Sequence, residues 1–438
     1  MKRVLIITYY WPPSAGSGVQ RWLKFSKYLP SNGWQPIIYT PSNPDFSTKD
    51  LTLLQDIPKE VELLQSEIWE PYSFYKKLGK GSAKKNINNG LLESNSKKST
   101  LKSFISNFSK WVRGNVFIPD PKVFWVKKSV KYLETYLQDN PVDVIVSTRP
   151  PHSMHLIGLA LKRRTNLPWI ADFRDPWSKL DLLDDYNISA RSRKKYEVLE
   201  KAVLENSNFC LTVSYNWAKM FKELGAKSVE VITNGYDYDD IPVAPKASKA
   251  HNKFIISHFG LLNHLRNPGV FWRALEAACS ENKELVNLLE IHIGGTVDKA
   301  VIEELNKLDI VSQKHTMHGY ITHTEVLEWY NKSSLLLLLT FNSEIGKGNI
   351  PGKLFEYLAM HKPIIAFGHK DGDVADIFQE VGNGNCFEYE LENLIPVKEA
   401  ILAAFERRNM TDKNHAVEKY NRENLTKRLV TLLDKLGS

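Results

Sequence analysis

Short runs of Val, Ile, Leu and Phe recur along the chain, separated by longer stretches whose apolar residues repeat at helical spacing. Runs of that length between amphipathic segments predict parallel strands joined by crossover helices. In the first half the predicted strands are Arg3 to Thr8, Gln35 to Tyr39, Val142 to Ser147, Trp169 to Ala171, Phe209 to Val213 and Val229 to Ile232. In the second they are Lys253 to Phe259, Leu289 to Ile293, Lys314 to His318, Leu335 to Thr340, Pro363 to Phe367 and Gly384 to Glu388. Two comparable series imply an α/β chain with two doubly wound halves. The segment YDYDDIPVAPKASKAHN from Tyr236 to Asn252 lacks a helical period and carries the junction, giving domains at 1–240 and 253–415 with a linker at 241–252. From Val417 onward, Leu425, Leu429, Leu432, Leu433 and Leu436 share one helical face, so 416–438 is expected to be a helix that crosses back to the first domain or, more simply, an ordinary terminal helix.

With 438 residues, 42% of them hydrophobic and 25% charged, the chain has enough apolar content for two cores, and disorder as its main state is excluded. Cys210, Cys279 and Cys386 are too few and too scattered for a disulfide framework or a zinc site, which favours a reducing, cytoplasmic setting. The apolar stretch after Lys2 and Arg3 is strand-length, unlike a signal peptide, and the run Leu335 to Leu339 is far short of the ~20 residues a membrane span requires. The net charge of +8 is concentrated: Lys76 to Arg113 holds Lys76, Lys77, Lys80, Lys84, Lys85, Lys97, Lys98, Lys102, Lys110 and Arg113 against Glu93 alone. Within it Leu101, Phe104, Ile105, Phe108, Trp111 and Val112 recur at helical spacing, which fits either a membrane-surface helix or a helix capping the first domain, and Gly79 to Thr100 is expected to be a mobile loop.

Candidate chemistry clusters where predicted strands end. The turn Ser14-Ala15-Gly16-Ser17-Gly18 follows the first strand and precedes a helical pattern, so its amides and the helix start suit an anion. Its spacing matches neither a dinucleotide fingerprint nor a phosphate-binding loop, and a GxG alone is weak support. Asp172-Phe173-Arg174-Asp175-Pro176-Trp177 packs two acids, an arginine and an indole into one strand end, either as a site or as an Arg174 pair with Asp172 or Asp175 that holds the loop. Arg149 and His152 close the preceding strand in the same way. The strongest pattern is Gly346 to Leu358, GKGNIPGKLFEYL, a glycine-containing loop entering a helix. There Gly348, Asn349, Ile350 and Leu354 would frame a diphosphate, Lys353 adds charge, and Glu356 can accept hydrogen bonds from a ribose diol; a plain Lys353–Glu356 surface pair is the alternative. Gly260 with Arg266 supplies a second loop and cation after the first strand of this half.

The strings YYWPPSAGSGVQR, PWIADFRDPW, Asn234-Gly235-Tyr236-Asp237 and above all IPGKLFEYLAMHKPIIAF resemble the family 4 glycosyltransferases, in the subgroup with a PxKLFEY-type motif. The resemblance spans nearly the whole chain. It implies the GT-B fold, two Rossmann-like domains facing each other across a cleft, and sugar transfer from a nucleotide-diphosphate sugar, a UDP-sugar favoured, with retention of configuration and without metal or other cofactor. Catalysis would fall to Arg266, Lys353, Arg174 and Asp172. The donor would meet Gly16, Ser17, Gly18, Gly260, Arg266, Gly348, Asn349, Ile350, Lys353, Leu354 and Glu356. The acceptor, a glycan or a lipid-linked group, would meet Trp11, Arg149, His152, Asp175 and Trp177. Two positions depart from the family: Gly348 stands where many members have a glutamate, and Arg174 where many have a histidine.

The expected protein is thus a hexosyltransferase of polysaccharide, capsule or lipopolysaccharide synthesis. It would be cytoplasmic and peripheral to the membrane, with an anionic membrane surface as a candidate partner through 76–113 and no nucleic acid. The alternatives are a nucleotide-sugar epimerase or hydrolase on the same fold, and a catalytically idle basic module that binds lipid or nucleic acid.

Overall fold

The structure is a computed structural model that describes residues 1–46, 48–70, 110–179, 183, 186–241, 253–409 and 414–437, with Ser17 by its backbone alone. Most of the basic segment at 76–113 and the linker at 242–252 lie outside the described residues. The chain divides into two compact units: Met1–Thr233 with Leu425–Ser438, and Asn234–Asn424.

The first unit is built on seven parallel strands, β1 (Lys2–Ile7), β2 (Trp34–Pro41), β3 (Glu62–Ser66), β4 (Val144–Thr148), β5 (Trp169–Arg174), β6 (Phe209–Thr212) and β7 (Val229–Val231), in the order β3-β2-β1-β4-β5-β6-β7. Helices cover both faces, so the central strands are apolar throughout rather than alternating, as β4 and β5 show. β3 is the strand the apolar runs did not predict. Its ELLQS sequence alternates exposed with buried positions because it is the sheet edge and pairs only with β2.

The second unit holds six parallel strands, β8 (Phe254–Phe259), β9 (Leu289–Gly294), β10 (His315–Gly319), β11 (Leu335–Leu339), β12 (Ile364–Phe367) and β13 (Asn385–Phe387), in the order β10-β9-β8-β11-β12-β13. The five leucines of β11 are all buried in the middle of this sheet. Tyr236 N donates to Tyr420 O at 3.1 Å and Arg422 N to Tyr236 O at 2.8 Å, which ties 234–241 to the stretch 415–424 within this unit. That pairing interrupts the predicted terminal helix: a 3₁₀ turn, His415–Tyr420, comes first and the helix runs Arg422–Leu436. Leu425, Leu429, Leu432 and Leu433 then pack with Val4, Ile6 and Trp22 in the first unit's core. Among the described residues no helix is long and apolar enough to cross a membrane.

Candidate functional site

In each sheet the connections change direction once, between β1 and β4 and between β8 and β11, and loops diverging from such a point leave room for a ligand at the carboxyl ends of the strands. The residues singled out in the second unit gather at its reversal point. Lys353, at the start of the short helix Lys353–Ala359, donates from Nζ to Phe259 O at 2.7 Å, at the end of β8. Gly260 beside it sits at φ 156°, a backbone conformation that favours glycine, and a Cβ there would also press on Lys353 Nζ. Arg266 follows the same strand and lays its guanidinium over the ring of Phe341, 3.6 Å from the centroid, just after β11. Its buried Nε has no partner among the described residues, so a donor remains to be used.

Burial, and after it the neighbouring charge of Arg266, pulls the Lys353 ammonium down to about 8. Burial likewise lowers Arg266, against a favourable contribution from Tyr389. Two cations held partly dehydrated near one another are expensive without an anion, so the end of β8 offers positive charge to one. His258 is buried beneath them: Nδ1 donates to Leu337 O at 3.0 Å, and burial followed by the Lys353 charge presses its pKa to about 3, so it stays neutral.

Glu356 does not pair with Lys353; His323 Nε2 donates to Glu356 Oε1 at 3.0 Å instead. The intervening loop is glycine-dependent, because a Cβ on Gly346 would sit 2.5 Å from Phe341 O. Gly348 and Ile350 are buried, and Asn349 N donates to Gly346 O at 2.9 Å. Lys347 bridges Glu344 at 3.0 Å and Asp371 at 2.9 Å, while His369 Nε2 donates to Ser343 O at 2.8 Å, so the loop is fastened to 369–371. One expectation is corrected: Leu354 is wholly buried in the core and its amide is taken by Pro351 O at 3.0 Å, so it has neither side chain nor N–H for a donor. His323, His258, Phe341 and Tyr389 were not foreseen; each lies far in sequence from the residue it contacts, and only the motif residues carry a local signal.

In the first unit the reversal point is occupied by a buried charged network. Asp172 is fully buried and accepts from Arg21 Nε and Nη2, both at 3.2 Å, from Trp22 Nε1 at 2.6 Å and from Thr148 Oγ1 at 2.8 Å. With four donors on its two oxygens and no exposure, it anchors β5 to the helix Ser17–Tyr28 and β4, which corrects its expected catalytic role. Arg21, unmarked in the sequence, is the partner that Arg174 was expected to provide. Arg174 is buried in left-handed backbone at φ 56°, where β5 slips register against β6.

Arg149 Nη1 donates to Asp175 O and Oδ2, each at 3.0 Å, and so holds the loop after β5. His152 stacks on Trp177 at 4.6 Å, and burial first, then Arg149, keeps it neutral well below its ordinary pKa. Trp177 is entirely buried, so its expected stacking on an acceptor ring is corrected to a packing role under His152. Trp11 is 2% exposed and borders a cavity of about 330 Å³ with Pro13, Asn43, Phe46, Lys49 and Gln65, while the Asp175 side chain is 40% exposed. The turn carrying Gly16, Ser17 and Gly18 begins the adjacent helix, with Gly16 at φ 96° and Gly18 close against the Tyr10 ring. A larger cavity, about 590 Å³, opens at the amino ends of β11, β12 and β13, away from Lys353 and Arg266.

No protein-family model and no curated protein matches the chain. Solved structures do. Anabaena HepE in complex with UDP-glucose is similar at TM-score 0.60 and 14% identity, with 100% of both chains covered. Sucrose-phosphate synthase from Thermosynechococcus elongatus is similar at TM-score 0.59 and 14% identity over 100% of this chain and 99% of that one. The apo form of the lipopolysaccharide outer core galactosyltransferase WaaB is similar at TM-score 0.58 and 13% identity over 100% of both. At such identities the likeness is one of fold: two parallel sheets, each layered with helices, in the GT-B class that these glycosyltransferases share.

Proposed function

We propose that the chain is a glycosyltransferase of the family 4 type, moving a hexose from a UDP-sugar to a glycan or lipid-linked acceptor with retention of configuration. The observation that carries this reading is the pair of partly dehydrated cations, Lys353 and Arg266, at the reversal point of the second sheet with Glu356 one helical turn beyond Lys353. Similarity to a UDP-glucose complex and to a lipopolysaccharide galactosyltransferase supports the donor and acceptor classes.

In the proposed reaction the bond between the anomeric carbon and the diphosphate breaks, the diphosphate leaves with the electron pair, and the acceptor hydroxyl forms the new bond as its proton passes to the departing diphosphate oxygen. Lys353 and Arg266 oppose the charge that develops on the leaving group, and this stabilisation grows toward the transition state. Glu356 would accept from the ribose hydroxyls, with His323 fixing its carboxylate. Cationic side chains take the part a metal otherwise plays, so the activity is expected to survive chelation. The setting we infer is cytoplasmic, at the membrane face where such acceptors reside, with the basic segment 76–113 as one means of attachment.

Binding measurements with UDP-, GDP-, ADP- and dTDP-sugars, each with EDTA, test the donor site. UDP-sugar binding that weakens by roughly tenfold or more in Glu356→Ala is expected, as two charge-assisted hydrogen bonds are lost. Absence of binding to every nucleotide sugar by folded protein would overturn the reading, and sugar release or isomerisation without acceptor would redirect it to hydrolysis or epimerisation.

A further inference from the structure

The edge strand β3 leads to a surface that neither candidate site uses. Along it Leu64, Ser66, Ile68 and Glu70 are buried while Leu63, Gln65, Glu67 and Trp69 face out. Trp69 is 58% exposed and Phe124 50%, and their rings meet edge to face at 5.2 Å. Phe124 also lies 5.9 Å from Phe117, whose neighbour Val116 is 55% exposed. Large apolar rings left half in water at one spot mark a surface that meets something.

The charge around the rings says what. Lys127 and Lys128, in the first turn of the helix Val126–Asp139, and Lys131 one turn on are all exposed, and none has an ion pair among the described residues. Glu70, next to Trp69, is turned inward, where it accepts from Tyr9 Oη and from Lys122 Nζ, each at 2.5 Å, so its charge is spent inside the fold. Glu67 is the acid left exposed on this strand.

Indole and phenyl rings followed, three to seven residues after Phe124, by three exposed lysines without ion pairs among the described residues match the interfacial region of a bilayer, where rings seat at headgroup depth and ammonium groups meet lipid phosphates. A second copy of the chain would need a much larger apolar area than Trp69, Phe124, Val116 and the outward Leu63 supply. A single-stranded nucleic acid would need successive open ring faces for its bases, whereas Trp69 and Phe124 meet edge to face at 76° and offer no parallel pair of faces. We propose that this face of the first unit, Trp69 and Phe124 flanked by Lys127, Lys128 and Lys131, docks on an anionic lipid bilayer. The proposal does not depend on the sugar-transfer reading.

The test is co-sedimentation of the full chain, without nucleotide sugar, on phosphatidylglycerol-containing and on pure phosphatidylcholine vesicles free of any glycolipid. Two variants are compared, Trp69→Ser with Phe124→Ser and Lys127→Glu with Lys128→Glu; all four positions are exposed, and melting curves verify the fold. Wild type is expected to bind the anionic vesicles and release them at high salt, and each double variant to weaken binding by roughly tenfold or more. Tryptophan emission is expected to shift to shorter wavelength on binding, less so without Trp69. Undiminished binding in both variants would overturn the proposal and leave the basic segment as the lipid contact. Equal binding to neutral vesicles would overturn it, as would vesicle binding abolished by competing RNA in wild type and variants alike. UDP-sugar binding measured on the same variants is expected to be unchanged, so failure of this proposal and failure of the donor-site reading give different results.

Discussion

Lys353 illustrates how much one side chain owes to its surroundings. The sequence places a lysine at the start of a helix after a glycine-containing loop, and solvent exposure would leave it an ordinary cation. In the fold it reaches back to Phe259 O, beside Arg266, and its pKa drops to about 8, desolvation contributing most. Below about 8 the ammonium is charged and, on the proposed donor-site reading, attracts a diphosphate; above it the charge is lost. UDP affinity is therefore expected to fall as pH rises from about 7 to about 9, and titration calorimetry should find that slope flattened in Lys353→Met. Stability of the ligand-free chain runs the other way. Between about 8 and the ordinary 10.5 the unfolded chain binds the proton that the folded chain does not, so stability rises with pH across that window. Lys353 and Glu356 were legible as a motif. Their partners Phe259 and His323 were not, because no local pattern brings residues 94 and 33 positions away into contact.

At the scale of elements, the first unit's reversal point is held by one carboxylate. Asp172 joins β5 to the helix Ser17–Tyr28 through Arg21 and Trp22 and to β4 through Thr148. Removing it strands a buried guanidinium and an indole N–H, so Asp172→Ala is expected to cost about 3–5 kcal/mol in denaturant unfolding. A catalytic role would instead abolish turnover at unchanged stability. The strand-end density of charge was correctly legible as a place where charges are buried for a reason, but that reason is structural at Asp172. The distinction rests on Arg21, a residue whose setting within an amphipathic helix gives no hint that it points into the core. Helix and strand order came through because central parallel strands are apolar on both faces. The edge strand β3 escaped, because a strand covered on one side carries half the signal.

For the whole chain, the terminal helix decides where the first unit's core is completed. Leu425, Leu429, Leu432 and Leu433 are buried against β1 and the helix Ser17–Tyr28, and Arg428 donates to Val231 O at 2.8 Å. Leu429→Ala is expected to destabilise the first unit by about 2–5 kcal/mol, visible as the earlier of two transitions in calorimetry if the units melt separately. The second unit's boundaries, Asn234 and Asn424, are set by the pairing of Tyr236 with Tyr420 and Arg422. Composition alone put the junction some residues later, because prolines and small polar residues mark where a helix cannot continue and not where backbone groups find partners.

The sequence by itself determined the class of fold, the positions along the chain of nearly all strands, the leucine face of the last helix and the loop and helix start that carry Lys353 and Glu356. These follow from hydrophobic period and local backbone preference, which act over a few residues. Tertiary structure alone decided that Asp172 is an anchor, that Trp177 and Leu354 are core, that Arg266 rests on Phe341, and that Trp69 and Phe124 stand together in solvent. Each depends on which side of a sheet or helix a residue takes and on what a distant strand brings to meet it, quantities that burial and charge fix only once the whole chain has folded.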